Sequence, residues 1–274
     1  MVIIGLGTAG CGVTSHFSSA YDKVMIRQSD FPKSCKKEED FETKCPNFFR
    51  GKNSRFKNLE FEECWFFLCG GSLCSSATLR ILENIKDKKI NVGYIFPDLE
   101  WASPQVVKRH KVVFSVLQEY ARSGLIHSMS IFSNTDILSI VGEQSITTMY
   151  DTINKQIANV VETLNWFKSQ TPILGGSHQP KEISRINTVS IGDFKKNKES
   201  LMFSLDNCTE TSYIYSISKQ RLESDKKLLN VIKKRIQDDE EQNIVSSFAI
   251  FSSEHKQSFF YSLKYTHHIQ PWRQ

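Results

Sequence analysis

A chain of 274 residues, 39% hydrophobic and 24% charged, has the composition of an ordinary soluble globular protein and the length for one large or two small domains. Its formal charge of +5 is mild, and apart from short clusters at 195–198 and 226–235 the basic residues are spread out, so there is no direct nucleic-acid signal. No apolar run approaches the ~20 residues that cross a bilayer. The seven cysteines are odd in number and match no zinc spacing, so the expectation is reduced, mostly buried thiols, a cytoplasmic setting and no protein metal site. MVIIGLG leads straight into a strand and a glycine turn, without the basic region or cleavage site of a signal peptide.

In chain order, residues 2–6 read as a strand that runs into GLGTAGCG and then a helix over 13–21. A second strand is expected at 23–27, followed by a polar, lysine-rich loop over 31–58 with room for one short helix. ECWFFLC (63–69) is a continuous apolar run closed by Gly70 and Gly71, the mark of a strand buried on both faces. A helix over 75–86, a strand over 90–96, a loop over 97–103, a helix over 104–123, a strand over 126–132 and a short helix over 134–142 follow. Strands alternating with helices imply a parallel sheet covered on both faces, whose ligands sit at the carboxyl ends of the strands. Four unusual loops fall on that edge: 7–12, 70–75, 97–103 (with Glu100 as its candidate site residue) and 133–136.

SITTMYDTINKQIANVVETLNWFK (145–168) places Ile146, Tyr150, Ile153, Ile157, Val160, Leu164 and Phe167 at alternating steps of three and four. That period predicts one long helix with a buried stripe, started by Ser145 or Thr148 and stopped before Pro172. Beyond it the pattern changes to strands at 188–191, 212–218, 246–251 and 258–265 with one helix over 221–237, a small α+β unit. The expected organisation is therefore an α/β, Rossmann-like parallel-sheet domain over 1–144, a central helix over 145–170, and a smaller α+β domain over 171–274.

Three features carry chemistry. Gly7, Thr8, Ala9, Gly10, Cys11 and Gly12 form a glycine turn between a strand and a helix, where backbone amides and the helix dipole favour phosphate. By itself this is a dinucleotide fingerprint, with Asp30 near the end of the second strand as the ribose-binding acid. Gly70, Gly71, Ser72 and Leu73 repeat the construction, and two such turns suit a triphosphate gripped from two sides better than a dinucleotide. Tyr150 and Asn154 lie one helical turn apart on one face, able to stack on a base and read its edge; on spacing alone the favoured reading is Tyr150 in the core and Asn154 solvated, since apolar stripes are usually core.

Together these segments resemble the tubulin and FtsZ family. IIGLGTAGCGVTSHF is similar to that family's first nucleotide loop, and CGGSLCSSATLRILENIK stands where the family has GGGTG[ST]G and a helix. FSNTDIL is similar to the segment after the sixth strand, which gives Asn134 a guanine contact, and YDTIN matches the aromatic and amide pair of the central helix. The resemblance implies GTP or GDP as ligand, with Mg²⁺, and self-association head to tail. A loop after the central helix, here 175–183, then supplies acidic residues to the nucleotide of the next subunit. Glu182 fits the second acidic position, whereas the first is Gln179, which cannot act as a base. Leu73 takes a glycine's place and is expected to strain the second turn.

The resemblance thus implies a filament-forming GTPase, of the compact kind found in prokaryotes, phages and plasmids, working with a division or DNA-adaptor partner. Leu73 and Gln179 keep open a nucleotide binder with little hydrolysis. An NAD- or FAD-dependent oxidoreductase using the first turn and Asp30 is the alternative from another class, and it leaves the second turn and Tyr150/Asn154 without a role.

Overall fold

Every residue is described by the computed structural model except 51–55, 57–58, 177–179, 195–197, 255–256 and 273–274. The chain opens with β1 (Val2–Leu6), buried at every residue, and α1 (Gly7–His16), then β2 (Asp22–Ile26) and the short α2 (Glu38–Thr43). β3 (Glu63–Leu68) is followed by a 3-10 turn (Leu73–Ala77) and α3 (Thr78–Asn84). β4 (Lys89–Phe96), α4 (Pro104–Arg122), β5 (Ser128–Ser133) and α5 (Asn134–Val141) complete the alternating half. The long helix is α6 (Met149–Lys168). After it come β6 (Leu174–Gly175), β7 (Ile186–Asp193), β8 (Lys198–Leu201), β9 (Glu210–Ser218), α7 (Lys219–Ser224), α8 (Leu228–Glu241), β10 (Val245–Ser253) and β11 (Phe259–Thr266).

Among the described residues one sheet runs through the whole chain, in the order β2-β1-β3-β4-β5-β7-β11-β9-β10-β6, with β8 added on β7. The first five strands are parallel, and β7 joins them in parallel through Met129↔Ile186 and Ser130↔Asn187. β11 is antiparallel to both β7 and β9, so the second half is mixed. The α/β class read from the alternation holds, and the two halves share one sheet.

β3 is buried from its second residue onward because helices cover both faces, which is why its sequence is apolar without alternation. On one face lies a cluster containing Ile4, Phe66, Tyr94 and Phe114. On the other α6 lays down Ile153, Ile157, Val160, Val161, Leu164 and Phe167, all buried, each worth ~1.5–3 kcal/mol of transfer free energy.

Three of the helices depart from the sequence expectation in ways that bear on the site or its surroundings. The first helix begins at Gly7 and ends at His16, where the backbone of Phe17 turns extended, so the glycine segment is itself the first helical turn. α6 begins at Met149 and not at 145, leaving Ile146 91% and Tyr150 55% exposed: the first two members of the stripe overshoot the sheet they were expected to cover. The helix expected over 221–237 is two, because Asp225 accepts from Arg221 Nε at 3.1 Å and from the Lys227 amide at 3.0 Å and turns the chain there.

Candidate functional site

β1 delivers the chain to the carboxyl edge of the sheet, and α1 starts without a connecting loop. Gly7 takes φ +71°, the left-handed region that other residues enter at a cost. A Cβ on Gly10 would run into the carbonyl of Phe67, so glycine there lets α1 lie against β3. No side chain caps the start of α1 and its first turn carries no acid, so its leading amides and the positive end of its dipole are left for a ligand. Thr8 is exposed and Ala9 half-buried at this start. Cys11 points the other way: its thiol donates to the carbonyls of Gly5 at 3.4 Å and Ile26 at 3.6 Å, and burial pushes its pKa up to about 11. Only its backbone can serve the edge.

The second turn follows β3 in the same layer. Gly70 and Gly71 are buried, Gly71 so tightly that a Cβ would stand 2.7 Å from Val106. The carbonyls are tied back: Ser75 Oγ donates to those of Gly70 and Ser72, both at 2.6 Å, and Arg109 Nε donates to that of Gly71 at 2.9 Å. Arg109 is fixed in turn by Glu38 at 2.8 Å. Ser72 sits at the N-cap but its side chain makes no capping bond, so this helical start is open as well.

The strain expected at Leu73 does not arise. Among the described residues the only non-glycine positions with positive φ are Asn207 and Asn243. Leu73 opens the 3-10 turn and packs its half-buried side chain against the core. The two turns meet: a Cβ on Gly7 would stand 3.0 Å from Ser72 Oγ and 3.1 Å from Cys74 Sγ.

The start of α6 closes the third side. The amide of Asn154 lies against Gly12, where any Cβ would overlap its Nδ2, and His16 Nε2 meets Asp151 Oδ1 at 2.9 Å to tie α1 to α6. Tyr150, one turn before Asn154, is exposed at this edge, which removes the core reading of that side chain. Asn134, half-buried, is the first residue of α5 at the same edge. Glu100 is exposed in the loop after β4, with its amide donated to Asp98 Oδ1 at 3.0 Å. Here the loops part company: Ser103 caps α4 and Ser133 caps α5, so these helix starts are satisfied internally while those of the two glycine turns are not.

Glu182 is not part of this constellation. It precedes β7, which is parallel to β5, and therefore lies at the amino edge, a strand's length (~20 Å for six residues) from the glycine turns. Its side chain is exposed and its carbonyl accepts from Arg185 Nε at 2.6 Å. Gln179 lies outside the described residues. Asp30, the acid of the dinucleotide reading, turns back to accept the Arg27 amide at 2.7 Å. A groove of about 380 Å³ lined by Leu82, Tyr120 and Leu125 opens near the amino edge, away from every open helix start.

Three open features on one edge (two uncapped helix starts in contact and an exposed aromatic beside an amide) invite comparison with known folds. No protein-family model and no curated protein matches the sequence. Solved structures do. A GTPγS-form protofilament of Bacillus thuringiensis serovar israelensis TubZ superposes with a TM-score of 0.68 over 98% of this chain and 88% of its own, at 11% identity. The chain has the tubulin/FtsZ fold. An FtsZ variant from M. jannaschii gives 0.67 over 97% and 90% at 10% identity, and CetZ from Methanosaeta thermophila 0.63 over 98% and 87% at 12%. Within this tubulin/FtsZ-like frame, Ser75, whose hydroxyl ties down two carbonyls of the second turn, was not singled out by the sequence. Arg109, which braces the same turn from α4, carried no sequence signal.

Proposed function

We propose that this chain binds GTP at the carboxyl edge and polymerises head to tail, each subunit completing the nucleotide site of its neighbour. The observation that carries the reading is the contact between the two uncapped glycine turns at Gly7 and Ser72. The open backbone amides of Gly7, Thr8 and Ala9 face one side of the phosphates, with Gly10, Cys11 and Gly12 forming the helical turn behind them, and those of Gly70, Gly71, Ser72 and Leu73 face the other. Tyr150 stacks on guanine, Asn154 and Asn134 read its edge, and Glu100 borders the pocket. TubZ structures in GTPγS-form and GDP-form protofilaments support guanine nucleotide as the ligand.

The separation of Glu182 from the turns is what a shared site requires, since no chain could reach its own nucleotide with it. Glu182 of the next subunit polarises a water for in-line attack on the γ-phosphorus, and the β,γ-bridging P–O bond breaks to give GDP and phosphate. Exposed apolar side chains stand at both edges, Trp101 and Ile146 at one and Leu125 and Ile183 at the other, as stacked copies need. Such unlike faces build open filaments.

Among the described residues no three acidic, histidine or cysteine side chains converge. A Mg²⁺ arriving with the triphosphate fits that donor set, because the ion is held largely by phosphate oxygens and water, with Glu100 the carboxylate at hand, and it would neutralise phosphate charge. The reading further takes residues 1–144 as the nucleotide domain, 145–170 as the connecting helix and 171–274 as the polymerisation domain, working in the cytoplasm. GTP-dependent light scattering at tens of micromolar protein, with electron microscopy of the product, tests it. Filaments with GTP and none without are expected; no nucleotide binding and no filaments would sink it.

A further inference from the structure

Behind the second glycine turn runs a line of buried polar groups that the proposed chemistry does not use. Tyr94 is fully buried, with its phenol oxygen packed directly beneath Gly70. A Cβ on Gly70 would fall on that oxygen. The Tyr94 hydroxyl meets His110 Nδ1 at 2.8 Å, and His110 Nε2 meets the carbonyl of Trp272 at 3.0 Å.

A carbonyl only accepts, so Nε2 carries the proton and Nδ1 accepts from Tyr94. His110 has no exposed surface, and burial holds its pKa down to about 4, which keeps it neutral and the order of donors fixed. The line is directed: packed beneath Gly70, Tyr94 donates to His110, and His110 donates to the strap at 267–272.

That strap has a defined course. It leaves β11 at the amino edge, where His267 shares a cavity of about 320 Å³ with Ile183 and Arg122. It then climbs along α4. The Gln270 amide donates to Gln118 Oε1 at 2.6 Å, Gln118 Nε2 donates to the Gln270 carbonyl at 3.2 Å, and both glutamines are buried. Lys111 Nζ sits 4.7 Å from the centre of the Trp272 ring. From Gln118 to His110 the helix rises ~12 Å. The strap thus links the edge that bears Glu182 to the back of the second glycine turn.

We propose that the 267–272 strap positions the Gly70–Gly71 turn through His110 and Tyr94, so that nucleotide at the turns and seating of the strap stabilise each other. The inference rests on the guanine-nucleotide reading. His110 and Tyr94 are positioning residues; neither touches the ligand. Coupling of this kind is reciprocal and falls in a range of about 5- to 150-fold.

Hydrogen exchange on the whole chain, with and without GDP and at concentrations that do not scatter light, tests it. GDP is expected to slow exchange about five-fold or more in residues 70–73 and also in 268–272. In Tyr94→Phe the slowing at 70–73 should persist and that at 268–272 should vanish. Protection of the turns with none at 268–272 in the native chain overturns the coupling and leaves the nucleotide site standing. No protection at either, with no GDP retained in equilibrium dialysis, removes the nucleotide reading and the coupling together. Should Tyr94→Phe fail to fold, Gln270→Ala replaces it: release of the strap, seen as red-shifted Trp272 emission, should weaken GDP binding about five-fold or more. Unchanged affinity with Trp272 exposed overturns the proposal.

Discussion

The two halves of the sheet differ in which of their polar groups are tied within the chain. In the amino-terminal half the strands end at one edge, and two of the helix starts there have no side chain on their amides. In the carboxyl-terminal half the half-buried Glu199 and the buried Asp239 and Glu210 are answered from within the chain. Glu199 is met by Arg235 at 2.9 Å and Lys264 at 3.2 Å, and Asp239 by Tyr213 at 2.8 Å and by Ser246. Glu210 accepts the Lys181 amide at 3.2 Å. Carboxylates tied from within the chain hold the second half together, whereas the amides left open in the first are the ones the proposed function uses.

Cutting the internal network should produce the largest effect and should leave the open half alone. Glu199→Ala takes the shared carboxylate from Arg235 and Lys264 and is expected to cost about 3 kcal/mol of stability. Urea titration should show it, while GTP affinity of the folded fraction stays unchanged. A comparable loss of affinity would mean that the halves are not separable.

Glu182→Ala tests the other direction. Phosphate release should fall about 100-fold or more with GTP binding intact, because in the proposed filament the residue serves a neighbour's site and not its own. A mixture with Tyr150→Ala sharpens this. Subunits deficient in binding but retaining Glu182 should restore some turnover to the Glu182→Ala subunits they abut.

Acid should loosen the structure through His110. Its folded pKa of about 4 lies below the ordinary 6.5, so between these values the unfolded chain holds the extra proton. Stability is therefore full above about pH 6.5 and is lost as pH falls toward 4, by up to about 3 kcal/mol. His110→Gln should flatten that part of the urea-midpoint profile. The smallest expected effect is Tyr150→Ala, about 1–3 kcal/mol in GTP affinity through lost stacking, with no change in melting temperature because the ring is exposed.

How much of this could be read beforehand follows from how local each signal is. β1 to β5 lie within two residues of their expected places, since apolar runs bounded by glycine are written in the strand itself. β6 and β8 escaped because Leu174–Gly175 is two residues long and the Lys198–Leu201 stretch is mostly polar. Tyr150 was placed in the buried stripe by period alone and on the ligand edge by resemblance. Nothing in the spacing says that the sheet stops before the helix does. The meeting of Gly7 with Ser72, and of Gly12 with Asn154, joins residues far apart in the chain, and no local pattern records it. Leu73 was misjudged because a glycine in the related motif was taken to imply positive φ, whereas this turn is built without it.

The direction of the strands has an arithmetical outcome. Because the donor-lined edge and the Glu182 edge are opposite ends of one unit, a row of n copies joined as proposed contains n − 1 completed junctions, and its last nucleotide waits without a partner. Turnover per molecule would therefore be nil for isolated units, half-maximal for pairs and highest in long rows, so that catalytic rate itself becomes a gauge of length.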